Sequence, residues 1–216
     1  MISVITFYTP EYADEATAWR RSCQDWLNPS VYPDNPHGYK QYPFKSYERA
    51  SKKSWVHNCT MKAQVIEQAL DELNSSIVWT DADARFRSNP REFDLLEDYD
   101  FGCYWIPNVW NQPRNAALKP WSRGNEALNG STLYFNNTEK SKKLLQDWKL
   151  ESEANPTVWE QQSLQKVWEH HDNEGLKTYN FNQGYAKVFD APWFEGEYPL
   201  VIEQMQASRK LKGKIR

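Results

Sequence analysis

The sequence predicts one α/β domain with a mostly parallel central sheet flanked by helices. Three observations carry this expectation: strand-like apolar runs alternate with helix-period segments, no linker or composition break divides residues 1–216, and no internal repeat occurs. A chain of 216 residues can bury one sizeable core.

The first strand is read over residues 2–8 and ends at Thr9-Pro10. Ala16, Trp19, Cys23 and Trp26 recur at helical spacing, and Asn28-Pro29 stops that helix. Residues 28–45, rich in Pro, Tyr, Asn and Gly, read as a long loop of the kind that is usually functional. A second helix over 60–73 places Met61, Val65, Ala69 and Leu73 on one face. Ile77-Val78-Trp79-Thr80 is a short buried strand running into Asp81-Ala82-Asp83. A strand at 101–105, a second long loop at 106–127 and a strand at 132–135 follow. Helices then carry Leu144, Leu145 and Trp148, and span about Val158 to His170. Short strand-like pieces near 176–179, 185–189 and 199–202 lead into a basic tail.

Composition narrows the function classes. A formal charge of −3 gives no bulk signature of a nucleic-acid or membrane binder, although Ser208 to Arg216 holds five basic side chains and no acid. No 18-residue apolar run occurs, and the N-terminus lacks the pattern of a signal peptide. Cys23, Cys59 and Cys103 form neither a CxxC pair nor a zinc spacing, so reduced cysteines in a cytoplasmic protein are expected. The four histidines, His37, His57, His170 and His171, have no zinc spacing and are expected at the surface. Eleven Trp, twelve Tyr and nine Phe exceed what a small core easily hides, and flat rings suit sugars and bases.

Four segments could carry chemistry. Asp81 and Asp83 leave an extended strand on one face, so both can reach one hard divalent cation. An Asp after a strand is also an ordinary turn residue, but a buried strand running into the pair and Asn89-Pro90 after it give the motif weight. Asn129-Gly130-Ser131, before the strand at 132–135, offers close backbone approach and hydrogen bonds to hydroxyls, or else a tight turn. Trp159-Glu160-Gln161-Gln162 opens a helix, where an acid and an amide could face a sugar or simply complement the helix dipole. The tail could hold a pyrophosphate or be a solvated terminus.

Taken in order, these pieces resemble the GT-A-fold nucleotide-diphospho-sugar transferases, particularly the small bacterial and phage-type members. The likeness covers most of the chain: Phe7-Tyr8-Thr9-Pro10-Glu11-Tyr12, Trp55 and Lys62, Ile77 to Ala84, Asn129 to Leu133, Trp159-Glu160-Gln161 and Ser208-Arg209-Lys210. It implies a single Rossmann-like GT-A domain whose basic tail, 203–216, folds over the donor site. Tyr8, Thr9 and Tyr12 would flank the nucleotide, and Lys62, Asp81, Ala82 and Asp83 would serve the diphosphate. Asn129, Gly130 and Ser131 would face the sugar, Glu160 and Gln161 would lie near its anomeric carbon, and Arg209, Lys210 and Lys212 would stabilise the leaving diphosphate. The cofactor implied is a divalent cation, Mn²⁺ ahead of Mg²⁺, held by Asp81, Asp83 and Gln204. Gln204 stands where related enzymes often place a His.

The expected activity is transfer of a sugar, from a UDP-hexose and with retention, to an acceptor that the sequence leaves open: a glycan, a lipid-linked sugar, a protein or a modified DNA base. Two other readings compete. A haloacid-dehalogenase-like phosphatase also uses Asp-x-Asp after a strand, but there the motif normally follows the first strand. A sugar- or nucleic-acid-binding module would use Trp105, Trp110, Trp121 and the tail, and gives the Asp pair no role.

Overall fold

The computed structural model describes residues 1–28, 40–51, 58–107, 126–188 and 198–208. Its centre is a six-stranded sheet in the order β2-β1-β3-β6-β5-β7. The strands are β1 (Ile2–Tyr8), β2 (Phe44–Glu48), β3 (Ser76–Thr80), β5 (Phe101–Ile106), β6 (Ala127–Phe135) and β7 (Thr178–Asn180). β6 alone runs against its neighbours, so the sheet is mostly parallel, as expected. β4 (Ala84–Phe86), β9 (Ile202–Gln204) and β8 (Lys187–Val188) form a second, three-stranded sheet.

Alternation of side chains along the strands divides the core into two layers. Ile5, Ile77, Trp79, Cys103, Trp105, Leu133 and Phe135 face helices α2 (Met61–Leu73), α3 (Glu139–Ala154) and α4 (Glu160–Asn173). Their neighbours Val4, Val78, Tyr104 and Tyr134 face the other way, towards α1 (Ala13–Leu27) and the small sheet. Such strands are buried on both faces and therefore read as unbroken apolar runs.

Ala16, Trp19 and Cys23 of α1 are fully buried, as their spacing predicts, and the helix ends at Leu27. The Thr138 side chain accepts from Ser141 N at the start of α3. Asn74 stops α2 in the left-handed region, with φ 45°.

Several expectations need correction. Part of the predicted loop 28–45 is strand: β2 begins at Phe44 and adds a parallel edge to β1. Asn129-Gly130-Ser131 lies inside β6, not before it. Cys103 pairs with Leu133 and Tyr104 with Asn129, so Gly130, Ser131 and Thr132 bulge from the β5 register while Thr132 still pairs with Thr80. His171 is buried, bonded through Nε2 to Asp147 Oδ2 at 2.8 Å, because the end of α4 packs on α3. Most described tryptophans are core residues: Trp19, Trp79, Trp105, Trp148 and Trp168 are buried. Loop residues 108–125, His37, His57, Trp55, Trp110 and Trp121 lie outside the described residues.

Candidate active site

The carboxyl ends of β1, β3 and β5 and the start of β6 share one edge of the sheet, where open α/β sheets bind ligands. At the β1 end, the Tyr8 hydroxyl donates to Glu48 Oε2 at 3.2 Å, and the Arg20 guanidinium lies 5.7 Å from the Tyr8 ring centre. Thr9 is buried, and a 3-10 turn at Pro10–Tyr12 closes through Tyr12 N to Thr9 O.

At the β3 end the Asp pair is held by backbone on both sides. Asp81 N donates to Ser131 O on the β6 bulge, and Ala84 N turns back to Asp81 O. Asp81 Oδ1 accepts from Lys62 Nζ at 3.1 Å and from Trp79 Nε1 at 3.2 Å. Trp79 comes two residues earlier on the same strand face, so period-2 spacing marks it as a partner of Asp81; the sequence reading missed it.

Lys62 joins three elements. Its ammonium, almost fully buried, also donates to Gly130 O at 2.8 Å and to Glu160 Oε1 at 3.2 Å, and lies 5.2 Å from the Trp79 ring centre. Burial works to discharge it, but Asp81 and Glu160 outweigh that and hold its pKa above the ordinary lysine value. Burial is also the largest influence on Asp81, raising its pKa against the opposing Lys62 charge.

Asp83 is enclosed by the segment after β9. Ala207 N donates to Asp83 Oδ2 at 2.6 Å, and Met205 N to Asp83 O at 3.2 Å. Gln206, between them, has φ 53°, a left-handed conformation that costs a non-glycine residue about 1 kcal/mol or more. Burial, then the Asp81 charge, push the Asp83 carboxyl up to about 6. No side-chain pattern could have announced this wrap, because backbone N–H groups make it.

Asp81 Oδ2 and Asp83 Oδ1 carry no hydrogen bond among the described residues, so each carboxylate keeps one oxygen for a cation. Two close acids of raised pKa with an oxygen to spare fit a hard divalent ion. Among the described residues no third His, Cys, Asp or Glu completes a cluster with them. Gln204 pairs with Ala84, next to Asp83, and is fully buried. Thr132 Oγ1 donates to Tyr185 O and accepts from Gln204 Nε2 at 3.4 Å, and Gln204 Oε1 has no partner among the described residues.

Glu160 and Gln161 meet β6 at Gly130. A Cβ there would fall 3.2 Å from Gln161 Cβ and 3.5 Å from Glu160 Oε1, so glycine lets the start of α4 approach. Asn129 Oδ1 accepts from Ser131 N and from the Ser131 hydroxyl. The structure thus gathers Lys62, Asp81, Gly130 and Glu160 around one ammonium, with Ala82, Asp83, Asn129, Ser131 and Gln161 adjacent in the chain. Tyr8, Thr9 and Tyr12 stand at the neighbouring β1 end of the edge. Arg209, Lys210 and Lys212 lie outside the described residues.

The family model of the nucleotide-diphospho-sugar transferases matches residues 17–216. The chain belongs to this family. Among solved structures, the transferase is similar to a glycosyltransferase involved in the glycosylation of the major capsid of PBCV-1. That likeness has a TM-score of 0.65 at 13% identity over 99% of this chain and 97% of the other, and it shows the shared fold. No curated protein matches the sequence. Among the described residues of the transferase, no helix is long and apolar enough to cross a membrane.

Proposed function

We propose that this transferase takes a hexose from a UDP donor in a reaction that depends on a divalent cation at Asp81 and Asp83. The observation that supports it most is the Asp pair itself: two acids raised by burial, Asp83 further by the Asp81 charge, each keeping an oxygen for a cation among the described residues. Gln204 Oε1, buried and without a partner among the described residues, would complete the set, with Mn²⁺ ahead of Mg²⁺. When bound, such an ion acts as a Lewis acid on the diphosphate.

The other roles follow the edge of the sheet. Tyr8, Thr9 and Tyr12 flank base and ribose, and Asn129, Gly130 and Ser131 face the sugar. Lys62 holds the Asp81 and Glu160 carboxylates in place. Glu160 and Gln161 lie near the anomeric carbon, and the configuration there is retained. As the glycosidic bond breaks, negative charge grows on the diphosphate, and Arg209, Lys210 and Lys212 stabilise it in the transition state. Residues 203–216 act as a tail over the donor, anchored where Met205 and Ala207 bond Asp83. Cys23, Cys59 and Cys103, all reduced thiols, support a cytoplasmic setting.

A test is to screen nucleotide sugars for hydrolysis with Mn²⁺, Mg²⁺ or EDTA. A UDP-hexose turned over only with metal is the expected result; full turnover in EDTA would refute the role of the Asp pair.

A further inference from the structure

Helix α1 grips the Asp81-Ala82-Asp83 segment from both ends. Ahead of Asp81, Trp19 Nε1 donates to Thr80 Oγ1 at 2.8 Å in a buried bond. Behind Asp83, Phe86 N donates to Ser22 Oγ at 3.2 Å, and Ala84 and Phe86 bury in the same cluster as Trp19 and Cys23. Between these two ties comes Arg85, whose guanidinium forms an ion pair with Glu15 in the first turn of α1.

The other face of that guanidinium goes to backbone. Arg85 Nη1 donates to Ala84 O at 2.8 Å and reaches Ala82 O at 3.5 Å, the carbonyls one residue to either side of Asp83. Among the described residues it makes no hydrogen bond or ion pair with Asp81 or Asp83 themselves. Its side chain is only 13% exposed, so these bonds are largely shielded from competing water. A planar fork of N–H donors can hold a carboxylate and a carbonyl at once, which a lysine ammonium cannot do in the same geometry. The braced turn sets how the two acids face one another. Asp81 is held by Lys62 and Trp79, Asp83 by Ala207 N, and Ala84 N closes the turn between them on Asp81 O at 2.9 Å.

We infer that Arg85, held by Glu15, is a positioning residue for the cation site: it fixes the turn so that Asp83 presents its carboxylate to the same ion as Asp81. The inference rests on the cation-site reading above and adds to it a part for α1 in metal affinity. Charge alone would act in the opposite sense. Burial and then Asp81 dominate the Asp83 pKa, and of the weaker influences the Glu15 charge raises it while the Arg85 charge lowers it. A cationic side chain beside a cation site repels the ion, so an Arg85 that served only as a charge would weaken metal binding, and its removal would tighten it. A brace does the reverse, because the ligands it orients lose their shared geometry when it goes.

The test is titration of the full chain with Mn²⁺, alone and with equimolar UDP, followed by the EPR signal of free Mn²⁺. Arg85→Met should bind Mn²⁺ about tenfold more weakly than the wild type, although a nearby positive charge has gone. Arg85→Lys keeps the charge without the fork and should fall between the two. Glu15→Gln and Glu15→Leu remove the same charge, but only Gln offers Arg85 an acceptor, so Glu15→Leu should bind Mn²⁺ several-fold more weakly than Glu15→Gln. The same order should hold with UDP and without. Thermal unfolding in EDTA shows which variants are folded; if Arg85→Met is not, Arg85→Lys and the Glu15 pair decide. Mn²⁺ binding by Arg85→Met or Arg85→Lys as tight as wild type or tighter, or equal binding by the two Glu15 variants, would overturn the positioning role while Asp81 and Asp83 stand as ligands. A wild type that binds no Mn²⁺ in either condition would remove the cation-site reading and this inference with it.

Discussion

Replacing Asp83 by Asn removes a negative charge that the apo protein holds at a cost. The carboxyl is raised from 3.8 to about 6, which corresponds to about 3 kcal/mol against the ionised form in the folded state. An Asn oxygen can still accept from Ala207 N, but a neutral acceptor forfeits about 1 kcal/mol of the charge-assisted bond. The net expectation for Asp83→Asn without metal is a gain of about 2 kcal/mol at pH 7.5, or roughly 4–8 °C in melting temperature for a chain of this size. The sign follows from the raised pKa. Above about 6 the folded protein carries the whole penalty, which shrinks as pH falls towards 3.8, where the unfolded chain also becomes protonated. The stability gap between variant and wild type should therefore close between pH 6 and pH 4. Denaturant or thermal unfolding in EDTA at several pH values checks it, with UDP and Mn²⁺ added in parallel to show that the variant loses ligand-induced stabilisation. An Asp83→Asn protein less stable than wild type at pH 7.5, or a gap independent of pH, would refute the reasoning.

Other expectations follow from the same geometry. Lys62→Met leaves Asp81 and Glu160 without their shared cation and should cost about 3–5 kcal/mol at pH 7.5, partly recovered as pH falls because burial already favours the neutral Asp81 carboxyl; unfolding across a pH series checks it. Gly130→Ala should lower turnover with a stability loss of about 1–2 kcal/mol, because Gln161 must move off its Cβ; kinetics and melting temperature on one preparation separate the two effects. Gln161→Ala should reduce kcat roughly 100-fold while UDP affinity, measured by calorimetry, stays constant. Truncation after Ala207 keeps both backbone bonds to Asp83, so it should weaken UDP binding with little change in the ligand-free melting temperature.

Much of this architecture was legible in the sequence because the central strands are buried on both faces. Residues 2–8, 77–80 and 101–105 read as strands from apolar content alone, and helices α1 to α4 from their periodicity. Edge and short strands were legible in part: the pieces near 176–179 and 185–189 overlap β7 and β8, whereas β2 and β4 gave no signal. β2 is a half-polar segment with only Tyr47 buried, and its strand character comes from pairing with β1. β4 and β9 are three residues each and exist by pairing with one another. Asn-Gly-Ser has turn chemistry, and only the register of β5 against β6 shows that it is a bulge in a nine-residue strand. Within the site, Asp81 and Asp83 stood out because carboxylates two apart after a buried strand have a local meaning. Lys62 as the hub, 19 residues before Asp81, and the backbone wrap by Met205 and Ala207 depend on tertiary contacts and leave no local signal. His171 looked like a helix-end surface residue, but Asp147 on α3 draws it inside.

The central claim, that Asp81 and Asp83 hold a divalent cation on a nucleotide diphosphate, is tested most directly by calorimetric titration of UDP into wild type and Asp81→Asn, each with Mn²⁺ and with EDTA. One site that requires Mn²⁺ in the wild type and is lost in Asp81→Asn is the predicted result. Equal UDP affinity in EDTA and in Mn²⁺, or unaltered Mn²⁺-dependent binding in Asp81→Asn, would contradict it.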